Sequence, residues 1–259
     1  MTASRRQLGA RSLVRQWAPP AVVFVLLALG WQLYAQSGSG NILLPTFTAT
    51  VSALVRLVRE GELWHPLLLS NETMLVGFVI AVAAAIPVGF LMGRFRYLDR
   101  SLDPWVAILV ATPMAPLLPI IVIVLGLGIA SGVVVVFLFC FVYMVINTRA
   151  GIRNIDPSLT EMARSFGAGE LARWRHVLIP GALPAIATGL RICLGRAFAG
   201  MILGELLMFA RGIGQVILDL HGGFQSASLF AVVGILLVEA LLLSAVMRVI
   251  ETRITRRFF

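Results

Sequence analysis

The chain has 259 residues, of which 59% are hydrophobic and 13% are charged, whereas soluble domains average about 45–50% and 25%. With a mean hydropathy of +0.95, this composition indicates a protein solvated mainly by lipid. Two cysteines and no polar low-complexity tract exclude the disulfide-stapled and disordered classes. All 21 basic residues are arginine, so the chain has no lysine with which to build the phosphate-binding loop of a P-loop ATPase.

The first predicted element is an apolar run at residues 18–36, which follows an arginine-rich segment at residues 1–17. Arginines followed by an apolar run are also typical of a cleaved signal peptide. Trp31 and Tyr34 look more like an interfacial aromatic anchor than like a cleavage site, which favours a retained membrane span.

The segment at residues 42–62 comes next and places leucines and valines beside two arginines. This pattern predicts an amphipathic helix that lies at the far membrane interface. A plain surface connector is the alternative.

Long stretches without charge locate the remaining spans, because a helix needs about 20 apolar residues to cross about 30 Å of hydrocarbon. The 21 uncharged residues between Glu72 and Arg94 are enough for one crossing. The 45 between Asp103 and Arg149 are enough for two, with a turn where glycines cluster. The spans after the first are predicted at residues 70–93, 104–126, 131–148, 183–208 and 229–250.

The arginines predict the orientation of these spans. Sixteen fall on one side of a six-span arrangement and three on the other. Because cytoplasmic loops carry the excess of basic residues, both termini are predicted to be cytoplasmic. The sequence thus predicts an all-α polytopic membrane protein, with a single transmembrane domain of six transmembrane helices at residues 18–255.

The longest cytoplasmic connection, residues 149–182, is too polar to span the membrane and too regular for a flexible linker. Asp156-Pro157-Ser158 is typical of a helix start, and Gly167 is placed to end or bend that helix. A second short helix is predicted from about Glu170 to Val177. The result is a helical knob with an apolar face, which either binds another protein or only caps its own bundle.

The third predicted span contains an unusual density of prolines around Pro113 and Met114. In lipid, a broken helix is tolerated only where neighbouring groups or a water-filled cavity satisfy the freed backbone. These two residues are therefore candidates for the lining of a translocation path, and a plain kink is the alternative.

Four charged residues fall inside the last two predicted spans, and intramembrane charges are functional candidates by default. They are Arg191, Arg196 and Glu205 in the fifth span and Glu239 in the sixth. Arg196 and Glu239 fall at similar depths, which predicts an ion pair between the two spans, for helix register or for substrate contact. Arg191 has no obvious partner and is a candidate for anion contact, a subunit seam or snorkelling.

Other chemistry finds little support in the sequence. The three histidines are scattered and both cysteines fall in apolar spans, so no metal site is predicted. The Gly-x-Ser-x-Gly motif of serine hydrolases does not occur. The arginine-rich termini do not require a nucleic-acid partner, because the excess of basic residues on the cytoplasmic side and attraction to lipid headgroups explain them.

The knob contains a glutamate, a glycine and a proline at a characteristic spacing. The residues of this pattern are Glu161, Met162, Ala163, Gly167, Ala168 and Pro180. The pattern resembles the EAA loop of ABC importer permeases, with Met162 standing where that loop has alanine. Shorter segments at residues 61–64, 102–104, 189–192 and 212–217 are similar to the nitrate, sulfonate and taurine branch of the family, and the resemblance extends over about residues 20–255.

The resemblance implies a non-enzymatic permease subunit in the cell inner membrane, which forms the path for a small solute of the nitrate, sulfonate or taurine type. It also implies two copies of a cytoplasmic P-loop ATPase, which would bind ATP and Mg, so that no cofactor is expected in this chain. A second permease, identical in a homodimer, and an extracytoplasmic substrate-binding protein would complete the complex.

Roles for individual loop residues follow from the same resemblance. The loop would dock in a groove of the ATPase, with Glu161 as a polar anchor and Gly167 as a turn where a side chain would collide. A solvated first-turn acid is the alternative reading of Glu161. Substrate paths along the dimer axis favour the path-lining interpretation of Pro113 and Met114.

Two rival classes make different demands on the sequence. A secondary active transporter would not need the knob, and it would show broken helices in both halves. A membrane-embedded enzyme would need catalytic groups clustered at one depth, whereas the charges here are few and spread along the axis.

Overall fold

The structure is a computed structural model that describes residues 19, 22–37, 43–209 and 211–258. Within these residues all regular structure is helical, which confirms the predicted all-α class. The arginine-rich residues 1–17 lie outside the described residues.

Eleven helices follow one another along the described chain, two of them continued by a π-helical turn. They are α1 (Val22–Gln36), α2 (Phe47–Glu60), α3 (Trp64–Arg94), α4 (Arg96–Ala111), α5 (Leu117–Leu125), α6 (Ile129–Arg153), α7 (Pro157–Ser165), α8 (Glu170–Arg173, continued by a π-helical turn at Trp174–Leu178), α9 (Ile179–Gly204, continued at Glu205–Phe209), α10 (Gly212–Gly222) and α11 (Ser226–Phe258).

Four helical stretches among the described residues are long and apolar enough to cross a membrane. They are Trp64–Arg94, Ile129–Arg153, Glu170–Met208 and Ser226–Thr255. They coincide with four of the six predicted spans, at residues 70–93, 131–148, 183–208 and 229–250. The first predicted span falls on the shorter apolar helix α1. The count of six spans therefore stays a prediction.

The third predicted span, residues 104–126, falls on two helices, α4 and α5, with a break at residues 112–116. Thr112 ends α4 in an extended conformation, with φ −73° and ψ 120°. A proline clashes with a helical residue before it, so Pro113 pushes Thr112 out of the helix.

The chain divides into two compact units, one formed by residues 1–62 and 219–234 and the other by residues 63–218 and 235–259. In the described part of the first unit, Trp31 donates a hydrogen bond from Nε1 to the carbonyl of Pro45 at 2.9 Å. Its ring also contacts Phe47 and Phe230, with centroids 5.6 and 5.8 Å apart. Trp31 thus packs inside this unit.

In the second unit, α3, α6 and α9 pack so closely that glycine is required along the contacts. A Cβ on Gly89 would lie 2.6 Å from the Cβ of Thr148, and one on Gly151 would lie 2.8 Å from the Cβ of Ala185. Cores at this density do not deform freely, so the three helices act as one rigid body. Cys140 and Cys193 lie inside it as free, buried side chains.

Candidate coupling loop and translocation path

The helix α7 begins at the predicted Asp156-Pro157-Ser158 signature. The Asp156 carboxylate accepts a hydrogen bond from the Ser158 backbone N–H at 2.8 Å, and Pro157 occupies the first turn, where its missing N–H costs nothing. That backbone hydrogen bond, assisted by the Ser158 side chain, lowers the pKa of Asp156 below its ordinary value. The cap therefore stays charged and intact at neutral pH.

Gly167 ends the turn after α7 with a φ of +76°. A Cβ at this position would have no neighbouring atom of this chain within 4 Å, so no contact inside the chain requires glycine here, and the close approach to a partner stays a prediction. The left-handed φ itself explains the glycine, because other L residues adopt it at a cost. The backbone N–H of Ala168 then donates to the carbonyl of Ala163 at 3.0 Å, which closes the turn.

The loop presents apolar side chains to its surroundings rather than burying them. Phe166 and Leu171 are each 84% exposed, and Met162 is also exposed. Exposed apolar residues that cluster on one short segment are typical of a protein-binding surface. The motif residue Glu161 is also exposed and lies beside this apolar surface.

Glu170 ties the loop to the end of α3. Its carboxylate accepts hydrogen bonds from Arg94, at 3.1 Å from Nε and 2.6 Å from Nη2, and it also pairs with Arg173. A cleft of about 440 Å³ lies between the loop and the ends of α3 and α6, and its lining includes Glu161 and Arg164. The loop is therefore held at a fixed place beside the transmembrane helices.

The second helix of the loop differs from the prediction. The segment from Glu170 does not stop near Val177 but continues through the π-helical turn into α9, as one stretch that runs to Met208. The backbone N–H of Ile179 donates to the carbonyl of Trp174, five residues earlier, so the turn holds one extra residue. Pro180 lies directly beyond this π-helical turn, where the regular hydrogen bonds between residues four apart are already interrupted.

A four-residue ion-pair cluster, which was not predicted from the sequence, joins α4 to the end of α6. Asp99 on α4 binds Arg149 on α6, with 2.6 Å between Oδ1 and Nε, and it also binds Arg153. Arg149 further pairs with Asp103. Both pairs of like charges are four residues apart, so each pair lies on one helix face, and this spacing was the available signal.

A cavity of about 330 Å³ opens at the break between α4 and α5, and its lining includes Pro113, Met114, Tyr143 and Arg196. The Arg196 guanidinium lies over the Tyr143 ring, 4.4 Å from the centroid. Three of the predicted path candidates, Pro113, Met114 and Arg196, thus meet at one cavity.

The predicted ion pair between Arg196 and Glu239 is wrong. Glu239 on α11 accepts a hydrogen bond from the Asn71 side chain at 2.5 Å, on α3, while Arg196 faces Tyr143 on α6. The prediction matched the depth of the two residues in the membrane. Depth does not determine the direction in which each helix face points, and that direction separates them.

Arg191 also has a partner that the sequence did not indicate. Its Nε lies 3.0 Å from Oε2 of Glu251, and Thr188 donates a hydrogen bond to Oε1 of the same carboxylate at 2.7 Å. Because α11 extends to Phe258, beyond the predicted span, Glu251 lies inside the helix where it can reach α9.

Glu205 is buried and caps the start of α10. Its carboxylate accepts hydrogen bonds from the Ser70 hydroxyl and from the Gly214 backbone N–H, both at 2.9 Å. The Ser70 oxygen in turn accepts the Ile213 N–H at 2.9 Å. Together they satisfy two of the N–H groups that every helix start leaves open. Glu205 therefore fixes α10 rather than lining the cavity at the α4–α5 break.

In the part of the chain that the structure describes, no three His, Cys, Asp or Glu side chains are grouped to hold a metal ion. Many of the described charges instead form ion pairs, helix caps and arginine–aromatic contacts. These contacts stabilise the packing of the helices against one another.

Comparison with known proteins identifies the family. Residues 85–256, about two thirds of the chain, match the family model of the binding-protein-dependent transport system inner membrane component. The chain belongs to this family. It is a multi-pass inner-membrane permease of an ABC importer that works with a binding protein, as the resemblance implied.

Curated relatives cover most of the permease. A probable ABC transporter permease protein of Brucella melitensis is 30% identical over 80% of this chain and 85% of its own length. SsuC of Escherichia coli, named for aliphatic sulfonates transport, is 32% identical over 82% of each chain. RibX of Chloroflexus aurantiacus, named for riboflavin transport, is 30% identical over 91% of this chain and 88% of its own.

The fold also matches solved structures. An inward-facing conformation of the MetNI methionine ABC transporter aligns with a TM-score of 0.62 at 22% identity, over 74% of this chain and 94% of that one. A second crystal form aligns with a TM-score of 0.58, also at 22% identity, over 81% and 97%. At this identity the likeness supports the fold, which is that of an importer permease.

Proposed function

We propose that the permease works as a homodimer with two copies of a cytoplasmic P-loop ATPase, and that residues 149–182 are the surface on which the ATPase docks. In this arrangement both termini are cytoplasmic, and ATP and Mg are bound only by the ATPase. Closure of the two ATPases moves the loops, and the transmembrane helices open alternately to each side.

The observation that carries the docking proposal is the exposed apolar surface of the loop. Phe166 and Leu171, each 84% exposed, lie on a segment that Glu170 holds against Arg94. A rigidly held apolar surface binds with little loss of conformational entropy. Glu161, Met162 and the Gly167 turn complete this surface.

The test is recovery of the ATPase with a tagged permease that carries Phe166→Asp. The exposed side chain makes few contacts inside the chain, so the variant should fold normally and lose the ATPase at least tenfold. Phe224→Asp is the matched control, because Phe224 is 77% exposed in the connection between α10 and α11. The ATPase that is recovered with the permease is quantified by its ATP hydrolysis. Equal recovery with Phe166→Asp and Phe224→Asp would refute the docking surface.

For the cargo, we infer a small anion that binds in the cavity at the α4–α5 break. Among the described residues no carboxylate pairs with Arg196, whose charge lies over Tyr143 beside the cavity. A planar guanidinium suits the oxygens of a sulfonate or carboxylate. The relatives named for sulfonate transport are consistent with this class.

Uptake of a labelled alkanesulfonate into cells tests the cargo class. Arg196→Gln should lower uptake at least tenfold and leave ATPase recovery unchanged, while Arg196→Lys should keep part of the uptake. Equal transport by the wild type and Arg196→Gln, or transport of neutral solutes alone, would show that the cavity does not select anions.

A further inference from the structure

The helix α4 is attached to the rest of its unit by little buried surface. Asp99 and Val106 are its only buried residues. Asp99 is 6% exposed, although charged side chains are almost never buried without a partner. The ion pairs of Asp99 with Arg149 and Arg153 therefore fix the first half of α4 to the end of α6.

The other side of this attachment is rigid. Arg149 and Arg153 lie at the end of α6, where glycines allow close contact with two neighbours. A Cβ on Gly93 of α3 would lie 2.6 Å from the Cβ of Ile152, and Gly151 meets Ala185 of α9. Because the last turn of α6, which ends at Arg153, is also the start of residues 149–182, movement of the coupling loop is transmitted to this rigid end.

The far end of α4 forms the break that lines the cavity. From Asp99 to Ala111 the helix rises about 18 Å, at 1.5 Å per residue. A tilt of about 10° around Asp99 would therefore move the break at Pro113 by about 3 Å, on the scale of helix shifts in conformational switching.

We propose that Asp99, held by Arg149 and Arg153, is the joint that transmits movement of the coupling loop to the path-lining break. Asp99 is a positioning residue in this role, since it touches neither substrate nor ATPase. Asp103 is more exposed and adds a pair that solvent screens. The inference rests on the proposed function of the loop.

The test compares ATP hydrolysis with substrate uptake by the purified complex, with its binding protein, in proteoliposomes. Asp99→Asn keeps the side-chain shape and removes the charge that holds both arginines. Hydrolysis should stay within about twofold of the wild type while uptake falls at least tenfold, so that the two activities separate. Arg100→Gln is the matched control, because it removes one charge from the same helix outside the cluster, and both activities should persist.

A purely stabilising cluster predicts another result. Hydrolysis and uptake would then fall together, and an unchanged ratio of uptake to hydrolysis overturns the proposal. If Asp99→Asn does not accumulate in the membrane, Asp99→Glu carries the same test, because it keeps the buried charge that pairs with both arginines but changes the length of the side chain that joins α4 to α6. A wild-type permease that recovers no ATPase would refute the proposed function itself, which separates the two failures.

Spin labels give a second readout that is independent of activity. Labels on cysteines placed at Ala111 and Ala199 report the distance between α4 and α9, and the native Cys140 and Cys193 are buried. In the wild type this distance should change by about 3 Å between the nucleotide-free and vanadate-trapped complex. Asp99→Asn should abolish the change; a change of the same size in the variant would refute the joint.

Discussion

The start of α10 offers a test of the packing because it leaves no space for a side chain at Gly214. A Cβ there would lie 2.8 Å from the backbone carbonyl carbon of Glu205 and closer still to its Cβ. In Gly214→Ala the two backbones must separate. The hydrogen bond from the Gly214 N–H to the Glu205 carboxylate, 2.9 Å long, is then stretched or lost.

The expected cost combines two effects. Overpacking costs about 1–3 kcal/mol, and the weakened hydrogen bond costs roughly 1 kcal/mol more. A total of about 2–4 kcal/mol corresponds to a fall in Tm of roughly 5–15 °C for a chain of this size. Thermal unfolding of the detergent-solubilised permease, followed by tryptophan fluorescence, measures the shift.

Gly222→Ala is the matched control on the same helix. A Cβ at Gly222 would meet no atom within 4 Å, and alanine favours the helix by up to about 1 kcal/mol. Its Tm should be unchanged or slightly higher. Equal Tm values for Gly214→Ala and Gly222→Ala would refute the contact between Glu205 and the start of α10.

Three further changes test the loop and the α9–α11 pair. Gly167→Ala forces alanine into a left-handed φ at a cost of about 1–2 kcal/mol, so ATPase recovery should fall several-fold. Gly169→Ala is the control, because Gly169 has a φ of −63°, and it should have no effect. Equal losses with both variants would contradict the role of the left-handed turn. Glu251→Gln leaves Arg191 unpaired and should lower the yield of monodisperse permease in size-exclusion chromatography. The double variant that also carries Arg191→Gln should restore part of this yield. No restoration would contradict the ion pair between Arg191 and Glu251. The pKa of Asp156 is lowered, so its cap persists above the ordinary aspartate pKa and is lost only as the pH falls through the lowered value. ATPase recovery with the wild type, relative to that with Asp156→Asn, should therefore stay constant from about pH 7 to 5. A decline in this range would contradict the cap.

The sequence predicted the elements whose signals are local. Asp156 and Pro157 mark the start of α7 by the chemistry of a helix cap, and the φ of Gly167 explains why glycine stands at its end. The break at Pro113 was visible as an accumulation of helix-breaking residues, since proline acts on its immediate neighbours.

Contacts between helices were harder to predict because they depend on the direction of each helix face. Arg196 and Glu239 share a depth but point toward different neighbours. The pairing of Arg191 with Glu251 depended on how far α11 extends, and helix ends are the least certain part of a sequence prediction. Asp99 and Arg149 were readable in principle from their spacing, once α4 and α6 were known to be neighbours.

ATP-driven import by this permease is tested most directly by uptake into proteoliposomes that contain the purified complex. Substrate and binding protein are supplied outside and ATP inside, and ion gradients are dissipated. The proposed function predicts accumulation that requires both ATP and the binding protein and that is lost with Phe166→Asp. Accumulation driven by an ion gradient in vesicles that contain the permease alone would contradict it and would favour a secondary active transporter.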